Sequence, residues 1–281
     1  MTSPWGPADE IGRLNWMTPE SQAAALRKAD ASRPYDLAVD YFMGMPSWVV
    51  LGDPKYDIWL THTPQGEGHA YAGTAISMYS HVGTSMCSLN HLGGRDGTFW
   101  NGWTDSEHLG SRAWRVGGNY PPIIARAVLL DVAAVKGVEC LPDSYTITSA
   151  DVIEAGGAAL ARGDVAIVRT GRMSRWPDAD AFMGDQPGLG MDCARWLAEE
   201  AEVMCVCVDA GGEALPTQEP DSFLPVHSYL LAEMGVPIIE NVWLEELTES
   251  GTTEFALLAF PLKLLGSTGL PVRPVALPKA P

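Results

Sequence analysis

Apolar and β-branched residues gather into three short, uninterrupted runs in the second half of the chain, at residues 127–133, 165–170 and 203–208. Runs of this length, bounded by turn-forming residues, predict strands buried on both faces. Between the first two, residues 149–162 place Val152, Ile153, Ala155 and Ala159 near helical spacing. Residues 191–201 predict a second helix with Trp196 and Leu197 on its apolar side, and residues 227–234 a third, followed by a strand over 236–242. Strands alternating with helices imply an α/β arrangement. Near the start, Thr18 suits a helix N-cap, Pro19 the first helical position and Glu20 the positive end of the dipole, which predicts a helix over 19–28. Residues 255–277 alternate apolar positions with Gly and Pro and predict irregular strands and turns. The first half is rich in aromatics and glycine and shows few helix patterns. No repeat or linker-like stretch interrupts the chain, so residues 1–281 are expected to form a single domain.

Composition narrows the function classes. The 281 residues are 46% hydrophobic and 19% charged, which is globular rather than disordered. No apolar run reaches the ~18 to 20 residues that cross a bilayer. Residues 1–10 lack the basic and then apolar regions of a secretory signal, so a cytoplasmic location is expected. A net charge of −17 disfavours nucleic acid and anionic lipid as partners and leaves a small-molecule substrate. Five scattered cysteines are not a disulfide framework, and Cys205 and Cys207, interleaved with valines, read as small core residues.

The densest polar cluster spans residues 81–91 and holds His81, Cys87 and His91, with Gly83 free to turn the backbone close to an ion. Far along the chain, His227 opens a helix and Glu240 ends an apolar strand, a costly place for a carboxylate unless it is paired or bound to metal. Cys87 has three readings: a zinc ligand, a nucleophile with His91 as its base, or a buried core residue. His227 and Glu240 also read as an exposed helix start and an exposed strand end. His62 and His69 flank a glycine-rich stretch, either a loop over a site or plain surface, and His108 reads as exposed. Phe99, Trp100 and Trp103 offer an apolar wall for a flat substrate, or simple packing, and Arg169 reads as a strand-end charge. The segment 99–103 and the irregular first half leave apolar area exposed in a monomer, which predicts a dimer or larger assembly.

His81-x-Gly83-Thr84 through His91 resembles the signature H-x-G-T-H-x-D-x-P-x-H of the cyclase superfamily, which contains bacterial kynurenine formamidase, isatin hydrolase and trans-dienelactone hydrolase. The resemblance runs nearly end to end, from Trp5-Gly6-Pro7 through Arg169-Thr170-Gly171 to Pro225-Val226-His227 and Ile239-Glu240-Asn241. It implies an α/β fold of the swivelling β/β/α type, assembly as a homodimer or homotetramer, and hydrolysis of a cyclic or aryl amide or ester. Carried over by position, His81 and His91 occupy the first and last His of the signature, and His227 and Glu240 match a later pair. Ser85 stands where the second His belongs, Cys87 where the Asp belongs, and Leu89 replaces the proline. A thiolate in place of a carboxylate moves preference from manganese and magnesium toward zinc. The expectation is zinc on His81, Cys87, His227 and Glu240, with His91 and Glu240 as catalytic acid–base groups. Two rivals stand beside it: a cofactor-free cyclase or lyase using His91, Cys87 and Glu240 on a polyketide-like substrate, and a non-catalytic homologue that binds a small ligand.

Overall fold

The apolar runs fold as adjacent parallel strands. The structure is a computed structural model that describes residues 2–63, 70–104, 119–219 and 221–280. In chain order its strands are β1 (Tyr35–Asp36), β2 (Asp57–His62), β3 (Gly73–Ser77), β4 (Ser85–Cys87), β5 (Ile123–Asp131), β6 (Thr146–Ile147), β7 (Val165–Arg169), β8 (Gly188–Leu189), β9 (Cys205–Val208), β10 (Ile238–Glu240), β11 (Glu254–Ala259), β12 (Gly269–Pro271) and β13 (Val275–Pro278). Nine of them build one sheet in the order β1-β13-β11-β5-β7-β9-β10-β4-β12. The pairs β5–β7, β7–β9 and β9–β10 are parallel, and the strands flanking them on both sides pair antiparallel. Every residue of β7, β9 and β10 is buried, as expected of a parallel centre covered on both faces.

Side-chain caps start several of the helices. Thr18 and Ser21 form a reciprocal capping box in front of Pro19–Arg27, and Thr148 and Asp151 do the same for Ser149–Glu154. That second helix does not run on to residue 162. Gly156 turns the chain at φ 103°, and a side chain at Gly157 would put Cβ 2.6 Å from the Val152 carbonyl oxygen. The strand expected over 127–133 stops at Asp131, whose carboxylate accepts the Ala134 N–H and starts the helical turn Val132–Val135. The helix expected from 227 begins two residues earlier, with Pro225 in its first turn, and continues through Tyr229–Glu233 in a wider, i→i+5 bonded turn. Residues 255–277 are more regular than expected: β11 lies inside the main sheet and β12 ends it.

The structure corrects the readings of Arg169 and of the exposed apolar area, and for the tryptophans it selects packing over a wall. Arg169 ends β7, but it is buried and ion-paired to Asp131 at 3.2 Å and to Glu245 at 2.8 Å, so it braces the strand end rather than standing there as a bare charge. Trp100 and Trp103 belong to the core, and the Trp100 indole donates to Asp9 at 2.9 Å, so they form no open wall. The exposed apolar area lies instead on the β2–β3 hairpin, at Ile58, Trp59, Leu60 and Ile76, and on the segment from Phe260 to Leu265. Among the described residues, no helix is long and apolar enough to cross a membrane.

Candidate functional site

Strand β4 lies between β10 and β12, and its register builds the site. Ser85 faces Glu240 on one neighbour and Pro271 on the other, while Cys87 faces Ile238 and Gly269. Alternation along a strand puts Ser85 and Cys87 on one face and sends Met86, fully buried, to the other. The turn before β4 is pinned to the end of β10. Thr84 Oγ1 donates to the Asn241 carbonyl at 2.7 Å and accepts the Val39 N–H at 3.0 Å, and the Asn241 amide donates to the Gly83 carbonyl at 2.9 Å. Gly83 has φ 63°, and a Cβ there would lie 2.8 Å from the Tyr41 ring, so the turn needs glycine on two counts.

His81 is buried between two rings, stacked on His91 at 3.8 Å and tilted against Tyr79 at 5.0 Å. Its Nδ1 is 3.4 Å from Cys87 Sγ and its Nε2 is 3.1 Å from Thr268 Oγ1. Gly269 lets the backbone press on the imidazole, since a Cβ there would come within 2.6 Å of the ring. His227 is held at both nitrogens. Nδ1 meets Glu213 Oε2 at 2.7 Å, and Nε2 meets Glu240 Oε1 at 2.9 Å. Glu213 also accepts the backbone N–H groups of His227 and Val226 at the start of the helix, where a carboxylate complements the unpaired amides. Cys87 Sγ completes the group by donating to Glu240 Oε2 at 3.6 Å.

The electrostatics divide the imidazoles into two kinds. Burial, then the neighbouring His91 and His227, holds His81 well below the usual histidine range. Burial and then His227 push His91 down to about 4, so both rings are neutral at pH 7 and able to accept a proton. For His227 burial opposes charge, but hydrogen bonds with Cys87, Glu213 and Glu240 outweigh it and raise the pKa well above the usual range. Burial and then Glu240 push the Cys87 thiol up to about 12. Two buried carboxylates around one ring form a centre that holds positive charge, either a proton on His227 Nε2 or a cation that displaces it.

The donor atoms of Cys87, His227 and Glu240 lie within 4.8 Å of one another, as do those of His81, Cys87 and His91. The expected four-residue set therefore resolves into two groups that share Cys87, with His81 grouped with His91 rather than with His227 and Glu240. Thiolate, imidazole and carboxylate together make a donor set that zinc accepts, and Glu213 on the remote nitrogen of His227 would fix the tautomer that exposes Nε2 to a metal. Ser85 belongs to neither group. Its hydroxyl is buried and has no hydrogen-bond partner among the described residues. Sequence reading missed Glu213, Thr268 and Tyr79. For Glu213 a signal existed: Asp209-Ala210-Gly211-Gly212-Glu213 follows a buried strand directly, and ligand groups in open α/β sheets collect at such strand ends. His62 lies on the exposed hairpin against Tyr71, and His69 and His108 lie outside the described residues.

The model of the Cyclase family, described as "Putative cyclase", matches residues 35–212 of the chain. This protein belongs to the Cyclase family. The match includes the stretch from His81 to His91 and ends one residue before Glu213, so His227 and Glu240 lie beyond it. A solved structure titled as a novel cyclase is similar at 29% identity and a TM-score of 0.85, covering 97% of this chain and 95% of its own. Isatin hydrolase A from Ralstonia solanacearum shares the fold at 21% identity and a TM-score of 0.67, covering 94% of this chain and 99% of its own. A structure titled "predicted metal-dependent hydrolase from Bacillus stearothermophilus" shares it at 22% identity and a TM-score of 0.58, covering 87% and 97%. The α/β fold of the swivelling β/β/α type is therefore common to these chains over nearly their whole lengths. None of the curated proteins matches the sequence.

Proposed function

We propose that this Cyclase-family chain is a zinc-dependent hydrolase of a small cyclic or aryl amide or ester, with formamides, lactams and lactones as its substrate class. The observation that carries this reading is the convergence of Cys87 Sγ, His227 Nε2 and the Glu240 carboxylate on one buried centre, with Glu213 behind the histidine. The printed names of the similar structures, isatin hydrolase and metal-dependent hydrolase, support the reaction class. Zinc held by these residues supplies Lewis acidity toward the substrate carbonyl. His91 does the proton work: its neutral ring takes a proton from the attacking water and returns it to the leaving nitrogen or oxygen. The stacked His81 keeps the His91 ring in place, and the burial of Cys87, His227 and Glu240 limits competing water. The active species is a homodimer or homotetramer.

One observation favours a second reading. His227 clasped between Glu213 and Glu240 is a ready-made acid even without a metal, as a cofactor-free cyclase or lyase with His91 as base would use. Elemental analysis of protein purified without added metal separates the two, combined with turnover of dihydrocoumarin, formanilide and isatin before and after chelation. About one zinc per chain, with activity lost on chelation and restored by zinc, is the expected result. Stoichiometric manganese would overturn the choice of metal, and turnover indifferent to chelation would select the cofactor-free reading. No turnover of any probe would leave a small-ligand-binding homologue.

A further inference from the structure

We infer that Ser85 is a further catalytic residue, whose hydroxyl donates a hydrogen bond to the substrate carbonyl oxygen as negative charge develops there. The inference rests on the hydrolase reading above and adds to it the group that meets the substrate's oxygen.

Its basis is the state of the hydroxyl. Ser85 is fully buried, and its Oγ has no partner among the described residues. A buried hydroxyl left unpaired costs stability, and such atoms call for an explanation where they occur. Across β12 stands Pro271, and across β10 stands Glu240, whose two oxygens meet His227 and Cys87 instead of the hydroxyl. Yet the hydroxyl is on the working face of the strand. Residues directly opposite in an antiparallel pair point the same way, so Ser85 points with Glu240, and strand alternation adds Cys87 to that face. The three side chains thus form one patch in which Cys87 and Glu240 are engaged with each other and with His227, and Ser85 alone holds an unspent donor.

Chain chemistry makes the donor suitable. Ser85 occupies the place that carries histidine in the signature this chain resembles, so a short neutral hydroxyl stands where the signature has an imidazole. A hydroxyl offers one proton and carries no charge of its own, so it binds an oxygen more strongly as that oxygen becomes anionic. The step balances as follows. The oxygen of water bonds to the carbonyl carbon and one of its protons passes to His91. The carbonyl π pair moves to the oxygen that Ser85 hydrogen-bonds. The pair then returns, the bond from carbon to the leaving nitrogen or oxygen breaks, and the leaving atom takes the proton from His91. Ser85 keeps its own proton throughout.

The test compares wild type with Ser85→Ala and Ser85→Thr on dihydrocoumarin and formanilide, together with zinc content and thermal midpoint. Ser85→Ala is expected to keep its zinc, to melt at the wild-type temperature or above it because an unpaired polar atom is gone, and to lose about 10²-fold in kcat with KM little changed. Ser85→Thr, which keeps the hydroxyl, should retain most of kcat. Full activity in Ser85→Ala overturns the inference, and so does a loss of activity that accompanies loss of zinc or a lowered midpoint, which would mark a metal-holding or structural role. A wild type that turns over neither probe defeats the hydrolase reading instead. Ser85 is then judged by titration with benzamide, whose carbonyl offers the same acceptor: about tenfold weaker binding in Ser85→Ala supports the contact, and equal binding shows that the hydroxyl meets only water.

Discussion

Both ring nitrogens of His227 are engaged, Nδ1 by Glu213 and Nε2 by Glu240, so the two carboxylates do different things to the same imidazole. Glu240 competes for the nitrogen that faces Cys87, whereas Glu213 fixes which nitrogen that is. Glu213→Gln keeps an acceptor oxygen for Nδ1–H but removes the charge. Zinc affinity, measured by competition with a chelator, should fall about 10- to 100-fold, while an unchanged affinity would reduce Glu213 to a helix cap. Cys87 shows why residue type alone could not choose among its readings. Burial and then Glu240 push its free thiol up to about 12, which makes it a weak nucleophile at neutral pH, and a metal ligand would have to lose that same proton. Asp209 carries the clearest pH signal away from this centre. It is fully buried and accepts the Thr170 and Gly171 N–H groups at 2.8 Å each, yet burial raises its pKa from 3.8 to about 6. The folded state therefore binds its proton more tightly than the unfolded chain, and the stability this group contributes is greatest below pH 4 and declines as pH rises to about 6. The advantage of wild type over the non-titrating Asp209→Asn should shrink by about 3 kcal/mol between those limits, as read by urea unfolding, and an advantage that grows with pH would reverse the sign.

At the scale of elements, prediction succeeded where the signal was local. The capping boxes at Thr18 and Thr148 are made within four residues of chain, and the first is partly legible in the sequence as a cap, a proline and an acid at Thr18, Pro19 and Glu20. The helix after Thr148 was overextended because Ala159 continues the apolar spacing, while the backbone answers to Gly156 and Gly157. The C-terminal strands were hidden by glycine and proline, and the sheet tolerates them for a positional reason: β12 ends the sheet, where Pro271 leaves no central ladder bond unmade. Gly171, at the end of β7, shows how tightly the elements are packed. It has φ 79°, and a Cβ would fall 1.9 Å from the Glu139 carbonyl oxygen, backbone against backbone. Gly171→Ala should cost at least about 2 kcal/mol, combining left-handed strain with a forced shift of the residue 139–140 backbone. A urea midpoint within error of wild type would show that this junction yields more easily than its geometry indicates.

For the whole molecule, the expected assembly survives as a proposal while its reason moves. Trp100 and Trp103 are core residues, so they leave no apolar area to be covered. The β2–β3 hairpin does: a two-stranded ribbon with Ile58, Trp59, Leu60 and Ile76 all exposed has little to hold it by itself. Trp59→Glu should shift the mass measured by light scattering at micromolar concentration from dimer or tetramer to monomer, and an unchanged larger species would place the contact elsewhere. By itself the sequence determined the family, through its resemblance to the cyclase signature, and the α/β centre of buried strands, and it singled out Cys87, His227 and Glu240 as candidate ligands. The centre follows from short-range periodicity and the candidates from residue type and motif order, all of which are written locally. Only the tertiary structure decided that Glu213 backs His227, that Thr268 and Gly269 hold His81, that the ligand set divides at Cys87, and that the Ser85 hydroxyl is left unpaired. Glu213 reaches His227 across 14 residues through the turn after β9. The others depend on β10, β4 and β12 lying side by side in one register, which joins strands more than 150 residues apart, beyond the reach of any local pattern.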